Sequence, residues 1–229
     1  DPFTPLVADN SAREVSRVVR QCTQGHYAVI LRPCEGRALL AKTKREGFSL
    51  EGWRLIAVDC LASFPAEDFA WRVEKAGGIE QLTREALQFA RLGGVAPYRF
   101  RRACQMCTNP SFSEAVLTIG LLGLPVRDYI LISSDTLETS QRLAIAEITD
   151  GPASRAVVAH HHRVLDRLER KRAAVRKRMV DNLAPGTPTG LGDLLALFEK
   201  CAPCQLCLAA CPLYAGELEL RRSGDHAHL

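Results

Sequence analysis

The stretch Cys201-Ala-Pro-Cys204-Gln-Leu-Cys207-Leu-Ala-Ala-Cys211-Pro212 constrains this chain more than any other. Three cysteines follow one another with two residues between them. A fourth comes after three more, with a proline behind it. Loops this short wrap one corner of a [4Fe–4S] cube, which needs four thiolates. Structural zinc is the competing chemistry. Zinc ordinarily pairs two separate C-x2-C knuckles and has no use for the third cysteine or the proline. The spacing therefore predicts iron–sulfur ligation, and the remaining sequence is expected to feed or drain such a centre.

Nine cysteines are many for 229 residues. They are odd in number and mostly clustered in C-x-x-C spacing. Without a signal peptide in view, this pattern points to metal ligation in a reducing, cytoplasmic compartment rather than to disulfides. The net charge of +4 is mild and does not call for nucleic acid. No apolar run approaches the roughly 20 residues that span a bilayer, so no direct membrane insertion is expected. Asp1-Pro2-Phe3-Thr4 reads as a vector-derived scar, and the native protein is expected to begin further upstream.

Strands and helices alternate along the first half. Ala12 to Gln21 carries Val15, Val18 and Val19 at helical spacing, with Ser11 as its N-cap. Tyr27 to Leu31 is a short β-branched run that reads as a buried strand, followed by Arg32-Pro-Cys-Glu-Gly36 and a helix from Arg37 to about Glu46. Trp53 to Val58 is the next buried strand and leads to Asp59-Cys60. Helices follow over Ala66 to Ala76, between Pro65 and Gly77-Gly78, and over Ile79 to Arg91. This alternation predicts an α/β fold with a mostly parallel sheet and flanking helices. Strands over 115–119 and 128–133 and a helix from Thr136 to about Ile148 complete it.

Cys34 and Cys60 each follow a strand. Ligands collect outside the carboxyl ends of parallel strands, so the two thiols belong on one rim of the sheet. Asp59 and Glu35 beside them read as helix-capping or solvated groups rather than partners of those thiols. Cys104-Gln-Met-Cys107 is a C-x-x-C pair, with redox or zinc chemistry open to it and Thr108-Asn-Pro110 as a turn behind it. From His160 to Leu183 the chain reads as one long helix with an apolar stripe of Leu165, Leu168, Val175, Met179 and Leu183. Its other faces are strongly basic, either a solvated surface or a dock for an acidic partner. No aromatic residues are interleaved for base stacking, which argues against nucleic acid. The His160-His161-His162 triplet reads as surface polarity. A Pro/Gly linker over 184–190 and a short helix from Leu191 to Lys200 lead into the cysteine run.

Three pieces in order resemble a known family. They are Arg32-Pro-Cys-Glu-Gly-Arg-Ala38, Leu55-Ile-Ala-Val-Asp-Cys60 with Phe64-Pro65, and Cys104-Gln-Met-Cys107 followed by Glu114-Ala-Val-Leu-Thr-Ile-Gly120. The resemblance is to the beta subunit of coenzyme F420-reducing hydrogenase and its formate dehydrogenase relatives, and runs from about Val15 to Pro185. It implies a [4Fe–4S] cluster on Cys34, Cys60, Cys104 and Cys107, a flavin (FAD), and electron transfer between a partner subunit and F420. The chain departs from the family in two places. By this resemblance the family's flavin-binding N-terminal part is expected to be missing before residue 11, and the loop Leu121-Leu122 to Leu124-Pro125 is apolar where the family's is small and polar.

The C-terminal run is ferredoxin-like and implies a second [4Fe–4S] cluster on Cys201, Cys204 and Cys207, closed by Cys211 or, alternatively, by Cys22. Cys211 is the expected fourth ligand. The expected organisation is a scar over 1–4, an α/β iron–sulfur domain over 5–157, a long basic helix with the start of the linker over 158–185, and the ferredoxin-type segment over 186–229. The expected function is that of an iron–sulfur electron-transfer subunit in an oxidoreductase complex, facing a dehydrogenase, hydrogenase or flavoprotein partner. Two alternatives stay open. One is a flavin-dependent subunit acting on F420 or nicotinamide, and the other is a partner-binding protein stapled by redox-inert clusters.

Overall fold

Tyr27–Leu31 and Trp53–Val58 form β1 and β2 and pair in parallel, with Val29 beside Leu55 and Leu31 beside Ala57. β3, Leu117–Gly120, lies parallel on the far side of β2. β4, Leu131–Ser134, closes that edge antiparallel to β3, giving the order β1-β2-β3-β4. This computed structural model describes residues 3–4, 10–22, 24–92, 100–142, 144–183, 186–188, 190–198, 207 and 210–214. The protein is α/β, with a mostly parallel sheet, flanking helices and one long helix behind it.

The helices begin and end where backbone chemistry dictates. α1 spans Ala12–Gln21 and is capped by Asn10, whose Oδ1 accepts the Ala12 N–H at 3.0 Å. Ser11 makes no capping bond, which corrects the expected cap. α2 spans Pro33–Glu46 and starts earlier than the expected Arg37. Pro33 suits a first helical position because it has no N–H to leave unpaired. Glu35 reaches back to accept the Arg32 N–H at 2.8 Å, so its capping role is as expected.

α3, Ala66–Ala76, ends at Gly77, which takes the left-handed conformation, and α4 follows over Ile79–Ala90. α5 is the short turn of helix Arg102–Gln105. Thr136 caps α6, Leu137–Arg142, through the Thr139 N–H at 3.0 Å. A 3-10 turn over Ile145–Glu147 then stands where one continuous helix was expected. α7 is the long helix, Arg155–Leu183, and begins at Ser154, whose Oγ accepts the Val157 N–H. α8 spans Leu191–Phe198.

Two apolar cores sandwich the sheet. Ala12 of α1, Ala38 and Leu39 of α2, and Leu31, Leu55, Ala57 and Phe112 form the first. Gly36 permits this packing, since a Cβ there would lie 2.6 Å from the Phe112 ring. Val58, Ala86, Ala90, Leu121, Leu122, Val164 and Leu168 form the second. β1 is covered on one face only. Ile30 is 42% exposed and Ala28 also faces solvent, which corrects the reading of β1 as a buried strand.

α7 docks by its N-terminal half. Gly123 has φ +82°, and a Cβ there would lie 2.7 Å from Val164 Cγ2, so the 121–124 turn sits directly on the helix. The buried stripe of α7 is His161, Val164, Leu168 and Arg172. Leu165, Val175 and Met179 are half-buried and Leu183 is exposed. The expected apolar stripe therefore fails toward the C-terminus. A helix of this length runs about 43 Å, roughly twice the length of β2, and leaves the sheet behind. Phe3 packs on the second core and the Thr4 carbonyl accepts a bond from the Arg32 guanidinium, so this end of the chain takes part in the fold.

Candidate metal centre

Cys34 is the second residue of α2, just past the end of β1, and Cys60 follows β2. Because Leu31 lies beside Ala57, both thiols come to the same rim of the sheet. Cys104 sits on α5 and Cys107 just beyond it. All four line one cleft of about 560 Å³, as the sheet-rim reading anticipates for the first two. The Cys60 N–H donates to the Pro110 carbonyl at 2.8 Å, which ties the end of β2 to the loop after Cys107.

Among the described residues, no three His, Cys, Asp or Glu side chains converge closely enough to hold a single metal ion. The four thiols stand around a cavity instead. A cube offers four irons to four separate thiolates, so it requires ligands spread around it rather than meeting at a point.

Two of the sulfurs have partners that sequence reasoning missed. Ala62 has φ +86°, a left-handed conformation that costs a non-glycine residue about 1–3 kcal/mol. That conformation accompanies an N–H directed at Cys60 Sγ at 3.4 Å. The buried Ser63 hydroxyl shares a hydrogen bond with Cys104 Sγ at 3.4 Å. Hydrogen bonds to ligand sulfurs stabilise the thiolate form and tune the potential of an iron–sulfur centre.

Arginines complete the wall: Arg37, Arg101, Arg172 and Arg176 all line the cleft. Arg172 is 6% exposed and donates from Nη1 to the Cys107 carbonyl at 3.4 Å. The basic helix thus turns one of its arginines inward, a correction to its reading as a purely outward charged face. The signal was present in the spacing, since Arg172 stands four residues after Leu168 on the inner stripe. Arg37 Nη1 is buried and has no hydrogen-bond partner among the described residues. A buried, unsatisfied guanidinium nitrogen beside four thiols suits an anionic occupant.

Two of these thiols, Cys60 and Cys34, are pushed toward their protonated form. Protein surrounds Cys60 closely enough to push its pKa up to about 12, although solvent still reaches part of the side chain. Burial also raises Cys34, reinforced by Glu35, and Arg32 opposes it. Ligation therefore has to displace protons from these sulfurs. The donor set and the unpaired Arg37 nitrogen fit a thiolate-bound cluster.

Behind the cleft lies a polar core. The Asp59 side chain is fully buried, and its Oδ2 accepts the N–H groups of Leu121 and Leu122 at 2.9 and 3.1 Å. His161 lies with Nε2 3.5 Å from the same oxygen and Nδ1 2.7 Å from the Leu122 carbonyl. A carbonyl only accepts, so Nδ1 carries a proton. Burial pushes the Asp59 pKa up, while His161 and the two N–H groups pull it back. Neither expected role of Asp59 holds, for it caps no helix and is not solvated. The triplet is likewise not uniform surface polarity: His160 and His162 are exposed, and His161 is core.

Of the C-terminal run, Cys201 and Cys204 lie outside the described residues. Cys207 is exposed, and Ala210 and Pro212, on either side of Cys211, line the first cleft. Cys22 ends α1 near the start of β1. The length of β1, roughly 13 Å, separates it from the rim where Cys34 stands. Scans against protein-family models and curated proteins find no match to the chain.

Proposed function

We propose that the protein is an iron–sulfur electron-transfer subunit of an oxidoreductase complex, of the hydrogenase or formate dehydrogenase type. The observation that carries this reading is the single arginine-lined cleft into which Cys34, Cys60, Cys104 and Cys107 converge from three separate stretches of sequence. In it those four residues hold one [4Fe–4S] cluster, and Cys201, Cys204, Cys207 and Cys211 hold the second. Such a cluster supplies one-electron chemistry at a potential set by its surroundings. The chain supplies the rest. The Ala62 N–H and the Ser63 hydroxyl hydrogen-bond to sulfur, and Arg37 and Arg172 offset the negative charge of the thiolates.

The flavin implied by the family resemblance fits poorly at the loop that family uses. Leu121, Leu122 and Leu124 are all at most 2% exposed and fill core rather than frame a pocket. No step is assigned to it. The redox partner reads as acidic, because Arg163, Arg167, Arg170 and Lys171 of α7 all face solvent.

Anaerobic titration with dithionite, followed by EPR, tests the electron-transfer role. The expected result is reversible uptake of about one electron per centre with half-integer-spin signals. Iron-loaded protein that resists reduction would assign the clusters to stapling the fold instead.

A further inference from the structure

The proline behind the last cysteine has a structural use. The Tyr214 N–H donates to the Cys211 carbonyl at 3.2 Å, so residues 211–214 form a β-turn with Pro212 as its second residue. Proline is favoured there because its ring presets the φ that position needs. The turn packs Leu213 against the first apolar core, the one built from α1, α2 and the strands. It also brings Ala210 and Pro212 into the wall of the thiol cleft. Connectivity then sets a bound. Cys211 stands four positions after Cys207, so their Cα atoms lie within roughly 14 Å.

We propose that the Ala210–Tyr214 turn caps the thiol cleft and holds Cys211 at its border, so that a cluster closed by Cys211 would lie beside one held in the cleft. The cap needs only the contacts described. The side-by-side placement of two clusters rests on the iron–sulfur reading above. An electron entering at one group would then have the other as its nearest acceptor, without a partner rearranging between them.

The experiment separates these parts. In the full-length apo chain, alkylation of Cys34, Cys60, Cys104 and Cys107 by N-ethylmaleimide is followed by peptide mass. Leu213→Asp, which expels the turn from the core, should raise the rate roughly tenfold through local opening, with Leu213→Ile close to wild type. Pro212→Gly, which loosens the turn through its backbone and leaves Leu213 in place, gives the same comparison if Leu213→Asp fails to fold. Unchanged alkylation in a folded variant overturns the cap. In the reconstituted protein, full reduction should give EPR signals broadened by spin–spin interaction, narrowing in Leu213→Asp with iron content retained. Two uncoupled signals in the wild type overturn the side-by-side placement. If the chain binds no iron, the iron–sulfur reading fails and alkylation alone decides the cap.

Discussion

Cys60→Ala is expected to halve the iron bound by the reconstituted chain, from about eight to about four atoms, as one of two cubes is lost. Cys60 is closely surrounded by protein, with its pKa pushed to about 12. No other described cysteine stands at the end of β2 to replace it. The substitution keeps the Cys60 N–H bond to Pro110, because that bond is backbone. Losses in hydrogen-exchange protection should therefore trace to the missing cluster rather than to a broken strand. Protection should fall around β1, β2 and α5 in the holo protein and change little in the apo protein. Cluster assembly is coupled to folding in this way because the ligands must lose protons and be held in place together. Unchanged iron content would remove Cys60, and with it the cleft, from the metal site.

Asp59→Ala should cost about 3–5 kcal/mol of apo stability, measured by urea unfolding. Its Oδ2 serves two backbone N–H groups and faces His161, all in the second core. Truncation strands both donors, each at about 1–3 kcal/mol, and removes the carboxyl group that faces the imidazole. Asp59→Asn keeps an acceptor oxygen and should lose about half as much. Equal losses in the two variants would mean that charge, not acceptor count, decides the energy. A loss near zero for Asp59→Ala would contradict the structural role altogether.

Much of this architecture can be read from the chain. Tyr27–Leu31 and Trp53–Val58 are dense β-branched and aromatic runs, and the structure gives strands with those bounds. Ala66–Ala76 is fenced by Pro65 and Gly77, and the helix stops where they stand. Weaker punctuation misleads. Nothing marks Ala115-Val116 as lying before a strand rather than in it, and β3 begins only at Leu117. The antiparallel direction of β4 depends on how the 121–130 segment folds back, which periodicity does not encode.

The site divides along the same line. Cysteine spacing and strand ends lead to the cleft, because covalent order places thiols at strand termini. The partners of those sulfurs do not appear in any pattern. Ala62 acts through a left-handed backbone conformation, and Ser63 through a hydroxyl that looks like ordinary loop composition. Arg172 hides in a run of outward arginines, and only its place four residues beyond Leu168 sets it apart. Asp59 and His161 are more than a hundred positions apart, so their contact exists only once α7 lies against the 121–124 turn.

Metal and acid-labile sulfide analysis of anaerobically purified full-length protein tests the central claim most directly. The account predicts about eight iron and about eight sulfide per chain, with no stoichiometric zinc. Zinc in place of iron, or iron without sulfide, would contradict it.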